Sequence, residues 1–304
     1  MDKAATKRHK FLALFSVVRG YNIMLLTVAQ YLAAIFVFAV NQPLKEVLLD
    51  WHLHLVVLST ISVVSAGYII NDFYDAPIDA INKPVKTQIG NWVSQATKLQ
   101  VYFTLNFIAF VFGMIISWKA GVFFGGYIFL IWLYSHKLQR YPLIRILSVS
   151  ILDVLPFFVI FVYYENISEL IITHGLYLYL LILLKELIKD FERAKGALLN
   201  NRETLVLKYG DRKVKTYVYV LLILLTIPTY FLLRFPEVGV MKYYFYTSVF
   251  WGPLFLVLLI KAKKNKHYFL LHNFLRVVLV IGVFSLSLID TSVLLIRILN
   301  EVRL

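Results

Sequence analysis

Apolar runs of membrane-crossing length recur along this chain, separated by short polar links. A spanning helix needs about 20 mostly apolar residues. Nine segments read as such helices: 21–40, 53–72, 99–117, 120–135, 146–164, 169–188, 217–233, 243–260 and 277–296. The fourth is short and turns back on the third through the hairpin "SWKAG". The runs are continuous and do not alternate, which argues against a β-barrel. The pattern predicts an all-α membrane protein, read as one domain over 1–304.

Polar positions add direction. The Lys and Arg residues fall in alternate links: 25 of the 31 lie at the N-terminus and in the links after the second, fourth, sixth and eighth spans. This is the positive-inside distribution. It supports an odd span count, with the N-terminus in the cytoplasm and the C-terminus outside an inner, cytoplasmic membrane. It also accounts for most of the net charge of +14, since such residues orient the chain and meet anionic headgroups. Nucleic acid is therefore not the expected partner.

Composition agrees. The chain of 304 residues is 60% hydrophobic and 16% charged, with mean hydropathy +0.75, against about half apolar and a quarter charged in soluble domains. The absence of Cys excludes disulfides, thiolate nucleophiles and Cys-held metals. The first apolar run is too long for a signal-peptide core.

Against this background "NDFYDAPIDAINKP", residues 71–84, is out of place. With Asn71 at zero and about 100° per helical residue, Asp75 falls near 40°, Asp79 near 80° and Asp72 near 100°. Four polar groups on one helix face favour a hard cation, and Mg²⁺ is commonly held by one or two carboxylates plus substrate phosphates. Pro77 is expected to end or kink the helix, which makes Asp79 the outlying member. A second polar stretch, "KELIKDFERAKGALLNNRETLVLKYG" at 185–210, puts Glu186, Lys189, Asp190 and Arg193 within about 100° of one another. Pairs at that spacing also occur on ordinary solvated helices. Within the spans, Asp153 is an ionisable group and a functional candidate by default, while Asn22 and Gln30 suit bridges between helices. Asp290 reads as a water-facing group, and His52, His54 and His174 have no ligand spacing.

These stretches resemble the UbiA-type intramembrane prenyltransferase superfamily. The first motif, N-D-x-x-D-x-x-x-D, matches at Asn71, Asp72, Asp75 and Asp79. The second keeps Glu186, Lys189, Asp190, Glu192, Gly196, Thr204, Leu205 and Gly210, but has Arg193, Lys195 and Ala197 where acids are usual. "YSHKLQR", 134–140, resembles the family's basic segment. "VRGYN", 18–22, resembles its N-terminal Arg-Pro segment with Gly20 in place of Pro.

The resemblance implies a nine-helix bundle around a central cavity open to the bilayer. It implies prenyl transfer from a prenyl diphosphate to a lipophilic acceptor, by a monomer using Mg²⁺. Asp72, Asp75 and Asp190 are then the catalytic carboxylates, and Asn71, Asp72, Asp75, Asp79, Glu186 and Asp190 the metal ligands. Asn71, Lys86, Lys137, Arg140, Arg193 and Arg19 would hold the diphosphate, and Tyr134, Asp153 and Asn22 would face the acceptor. An aromatic quinone precursor is the expected acceptor, with a prenylglyceryl phosphate lipid as the alternative. A transporter using the acids as an ion path is the rival from another class. It would show broken midplane helices in two related halves, and no such repeat is present.

Overall fold

A computed structural model describes residues 7–40, 42–82, 84–199 and 203–289. Every regular element among them is helical. In chain order these are α1 (Lys7–Val17), α2 (Gly20–Ala33, prolonged by a π-helical turn, Ala34–Phe38), α3 (Leu44–Leu49), α4 (Trp51–Asn82), α5 (Pro84–Gly90), α6 (Gln95–Ile116) and α7 (Trp118–His136). There follow α8 (Pro142–Tyr164), α9 (Glu169–Leu199), α10 (Leu205–Tyr209), α11 (Asp211–Arg234), α12 (Lys242–Tyr246), α13 (Ser248–Lys261) and α14 (Asn265–Ser285).

Eight helical segments among the described residues are long and apolar enough to cross a membrane: Gly20–Phe38, Trp51–Pro77, Gln95–Ile116, Pro142–Tyr164, Glu169–Leu199, Asp211–Arg234, Pro236–Lys261 and Asn265–Leu288. They correspond to eight of the nine expected spans. The expected fourth span is α7, a 19-residue helix that is not among the eight. Lys119, three glycines and a Tyr-Ser-His end dilute its apolar character. It still packs on α4, α6 and α8.

Three boundaries differ from expectation. Pro77 does not end α4, which runs on to Asn82, and α9 continues to Leu199. The last described long helix starts at Asn265, well before the expected 277. Asp290 and the end of the expected ninth span lie outside the described residues.

The helices hold together through packing and a few placed polar groups. Where α6 turns into α7, Ser117 caps the new helix by accepting the Ala120 N–H at 3.1 Å. Gly113 permits the close return: a Cβ there would lie 2.9 Å from Phe124 Cδ2. Pro156 inside α8 has no N–H for the carbonyl four residues earlier, that of Leu152. Tyr127 of α7 donates its hydroxyl to that carbonyl at 2.9 Å. The Pro156 carbonyl in turn accepts the Gln30 side-chain amide at 2.9 Å, and the same amide nitrogen reaches Thr60 at 3.1 Å. Gln30 is thus the expected bridge, joining α2, α4 and α8. Phe103, Phe107, Phe110 and Met114 form an exposed apolar stripe on α6, the surface a helix presents to lipid tails.

Candidate functional site

Because α4 stays helical through Pro77, the acidic residues of its last turns do share a face. Each has distinct surroundings. Asn71 Oδ1 accepts the Ser135 hydroxyl of α7 at 2.7 Å. Asp72 Oδ2 is 2.7 Å from Lys98 Nζ of α6. Lys98 is 2% exposed, so Asp72, expected as a free catalytic and metal-binding carboxylate, is the partner of a buried cation. Asp75 and Asp79 line a small cleft of about 30 Å³ together with Tyr134, Arg145, Arg193 and Thr204.

The second motif lies across from the first on α9, and its Glu186 and Asp190 carboxylates are held by protein cations. Glu186 receives Lys189 Nζ at 2.7 and 2.6 Å and lies 3.3 Å from Lys185 Nζ. Lys185 also reaches Asp153 Oδ2 at 3.3 Å. Asp153, Lys185, Glu186 and Lys189 therefore form an alternating string from α8 into α9. Asp153 joins helices through this string. Asp190, expected as a catalytic metal ligand, is bonded instead by the Arg145 guanidinium and accepts the Val206 N–H at 3.3 Å. It pins the start of α10, where Thr204 also caps by accepting the Leu207 N–H. Glu192 meets His272 of α14 at 2.7 Å.

Arg193, where the resembled family carries an acid, lies among the acids of both motifs. It interacts electrostatically with Asp75, Glu186, Tyr134 and Asp79. It lines the cleft and also a larger cavity of about 570 Å³ between the start of α2, α9 and α14. Arg19, Asn22 and Lys189 line that cavity too. Arg19 adopts a left-handed backbone, φ 55°, and its guanidinium lies 4.7 Å from the Tyr68 ring centroid. Asn22 Nδ2 is 3.5 Å from the Tyr68 hydroxyl. The change from Pro to Gly at position 20 has a local reason: a Cβ there would overlap the Phe15 ring, and a following Pro disfavours helical φ/ψ at Arg19.

The structure thus brings Asp75, Asp79, Tyr134 and Arg193 together, with Arg19 and Asn22 at the adjoining cavity. It does not bring Lys137 and Arg140, which are exposed on the turn after α7 and line neither space. The cation that lines the cleft next along the chain is Arg145, on the first turn of α8. The side chain of Lys86 lies outside the described residues. Lys98, Arg145 and Ser135 were not expected as site residues. Arg145 and Lys98 were hidden among charges that orient the chain, and only the three-dimensional packing singles them out.

Among the described residues no three His, Asp or Glu side chains form a ready-made metal cage. Asp75 and Asp79, one turn apart and lining one cleft, have the donor chemistry for a cation shared with an anionic ligand. Glu186 and Asp190 are held in this structure by ammonium, guanidinium and backbone N–H groups.

Comparison with known proteins gives a consistent result. The model of the UbiA prenyltransferase family matches residues 27–275. Among curated proteins, digeranylgeranylglyceryl phosphate synthase of Methanobrevibacter smithii is 28% identical over 205 residues, covering 64% of this chain and 69% of the relative. The same-named synthase of Sulfurisphaera tokodaii is 27% identical over 230 residues, 72% and 77% of the two chains. Among solved structures, one from a study of digeranylgeranylglyceryl phosphate synthase in membranes superposes with TM-score 0.69 at 19% identity, covering 91% of this chain and 97% of that one. A UbiA homologue from Archaeoglobus fulgidus bound to GPP and Mg²⁺ gives 0.67 at 11% identity, covering 90% and 99%.

Proposed function

The chain belongs to the UbiA prenyltransferase family, and we propose that it transfers a prenyl chain from a prenyl diphosphate to a prenylglyceryl phosphate lipid. The observation that carries this choice is the basic character of the site. Arg193 lies among the acids, and five Lys or Arg side chains line the adjoining cavity. A phosphate-bearing acceptor suits such a wall better than an aromatic carboxylic acid, which brings a single charge. The digeranylgeranylglyceryl phosphate synthases among its relatives support the same choice over the quinone-type acceptor expected from sequence.

In this reading α7 is a ninth span, the site faces the cytoplasm, the N-terminus is cytoplasmic and the C-terminus lies outside. The alternation of basic links supports that orientation. The site opens toward the bilayer, from which both substrates arrive by their apolar chains.

The reaction breaks the bond between the prenyl carbon and diphosphate oxygen, and the diphosphate departs with the electron pair. The acceptor hydroxyl forms the new C–O bond and releases its proton. Asp75 and Asp79 are the residues that would hold Mg²⁺ with the substrate phosphates, and when bound it supplies Lewis-acid neutralisation of the departing charge. Arg193 reaches the diphosphate from α9 as a fixed cation with a planar fork. Arg145 on Asp190 and two lysines on Glu186 place protein cations at the second motif beside the diphosphate. Tyr134, buried beside Asp75 and Arg193, offers a ring face to the allylic cation and helps exclude water.

The test uses purified protein, labelled prenyl diphosphate and a panel of acceptors with and without Mg²⁺. The expected result is Mg²⁺-dependent diphosphate release coupled to prenylation of the glyceryl phosphate lipid, reduced about 100-fold or more by Asp75→Asn. Release that ignores both Mg²⁺ removal and Asp75→Asn would overturn the proposal.

A further inference from the structure

The 570 Å³ cavity poses a charge problem of its own. Arg19, Lys189, Arg193, Lys266 and Arg276 line it against a single carboxylate, Glu192. Two of the five are answered within the protein: Lys189 by Glu186 and Arg193 by the acids around it. The other three have no carboxylate partner among the described residues. Arg19 stacks on Tyr68, Arg276 donates to neutral Asn273 at 3.3 Å, and Lys266 is exposed on the first turn of α14. Like charges are also near one another, since Lys189 feels Arg19 and Arg193, and His272 feels Lys189 and Arg276. Cations gathered this way around an open space fit a missing anion.

The shape narrows the anion's chemistry. Lys266, Phe269, His272 and Arg276 make one stripe on α14, about 15 Å long at 1.5 Å per residue. Arg276 lies near the middle of a helix apolar enough to span a membrane, where an ionisable group marks a functional site by default. Exposed apolar residues continue along the same two helices: Tyr21, Met24 and Val28 on α2, and Phe269 and Val277 on α14. A cationic bowl bordered by exposed apolar surface suits an amphiphile with a dianionic head and hydrocarbon tails.

We propose that Lys266 and Arg276 of α14, with Arg19, form a subsite for the phosphate of the phosphomonoester lipid that accepts the prenyl chain, apart from the Asp75–Asp79 pair that would hold Mg²⁺ with the diphosphate. The subsite rests on the acceptor reading above, and the two fail in different ways. Lys266 and Arg276 belong to the basic wall that favours a phosphate-bearing acceptor but take no part in the bond-making and bond-breaking steps, so their replacement reads acceptor binding apart from the chemistry.

The full chain is purified in neutral detergent and its unfolding midpoint measured without prenyl diphosphate or Mg²⁺. The ligands are a prenylglyceryl phosphate, the same prenylglycerol without phosphate, and phosphatidate. The double variant Lys266→Gln/Arg276→Gln is compared with wild type and with Lys263→Gln, an exposed cation outside the cavity. The expected result is stabilisation by prenylglyceryl phosphate, greater than by phosphatidate and absent with the prenylglycerol, lost in the double variant, kept in Lys263→Gln and largely restored when Arg276 is changed only to Lys. In turnover, the double variant raises KM for the acceptor about tenfold or more, as expected for loss of charge-assisted hydrogen bonds, and leaves KM for prenyl diphosphate unchanged. Equal binding of phosphatidate, abolished by the same variant, would make this a general lipid-headgroup site and overturn the acceptor assignment. Unchanged binding and KM in the double variant would overturn the subsite while leaving the acceptor reading intact. Transfer to an aromatic acid alone would sink the acceptor reading and, with it, the assignment of this cavity.

Discussion

The Asp72–Lys98 pair gives the sharpest physical prediction. Removing one partner of a buried ion pair costs about 3–5 kcal/mol, because the other charge is stranded out of water. Lys98 meets that condition at 2% exposed, whereas Asp72 keeps 22% of its side-chain surface. Asp72→Leu strands the buried ammonium and should destabilise by about 3 kcal/mol; Lys98→Met strands a carboxylate with some water access and should cost about 2 kcal/mol. The double variant replaces two charges by two apolar side chains of similar volume. It should lose only about 2 kcal/mol, leaving a coupling energy of about 3 kcal/mol. Equilibrium unfolding by SDS in mixed micelles, followed by helical ellipticity, measures all four proteins. Additive single effects, with coupling under about 0.5 kcal/mol, would refute the pair as a structural unit.

Other outcomes follow from the same geometry. Tyr127→Phe leaves the Leu152 carbonyl unsatisfied beside Pro156 and should destabilise by about 1–3 kcal/mol in the same unfolding assay. Gln30→Leu removes two helix-bridging bonds and should act in the same direction, with a smaller effect if water reaches the Pro156 carbonyl. Gly113→Val pushes a branched side chain toward Phe124, 2.9 Å from the first added carbon, and should lower stability by about 1–3 kcal/mol. Arg193→Gln removes the fixed cation between the two acidic motifs. It should lower kcat/KM for prenyl diphosphate about 100-fold, and a Mg²⁺ titration should show a higher requirement than wild type.

Apolar run length located the eight candidate spans and the helix α7, since crossing a bilayer imposes a long apolar run that few other constraints imitate. Where it erred, function or packing was responsible. The start of α14 was missed because Lys266, His267, His272, Asn273 and Arg276 depress the apolar signal there. Those polar residues include the ones that wall the cavity. α7 resembles a short span because glycines that permit close packing also lower hydropathy. α3, α5 and α10 are too short to carry a helical period of their own. Within the site, the face formed by Asn71, Asp72, Asp75 and Asp79 was legible from angles of about 100° per residue. The partners were not: Lys98 lies 26 residues from Asp72 and Arg145 lies 45 from Asp190. In sequence both look like ordinary orienting charges. Arg193 stood out by its departure from the resembled motif, and its place among Asp75, Asp79 and Glu186 gives that departure a physical meaning.

The central claim is the identity of the acceptor, and one competition measures it. Wild-type protein with Mg²⁺ and labelled prenyl diphosphate receives equal concentrations of a prenylglyceryl phosphate and 4-hydroxybenzoate, and the label in each product is counted. The account predicts that nearly all label enters the glyceryl phosphate lipid. Label entering mainly 4-hydroxybenzoate would contradict it.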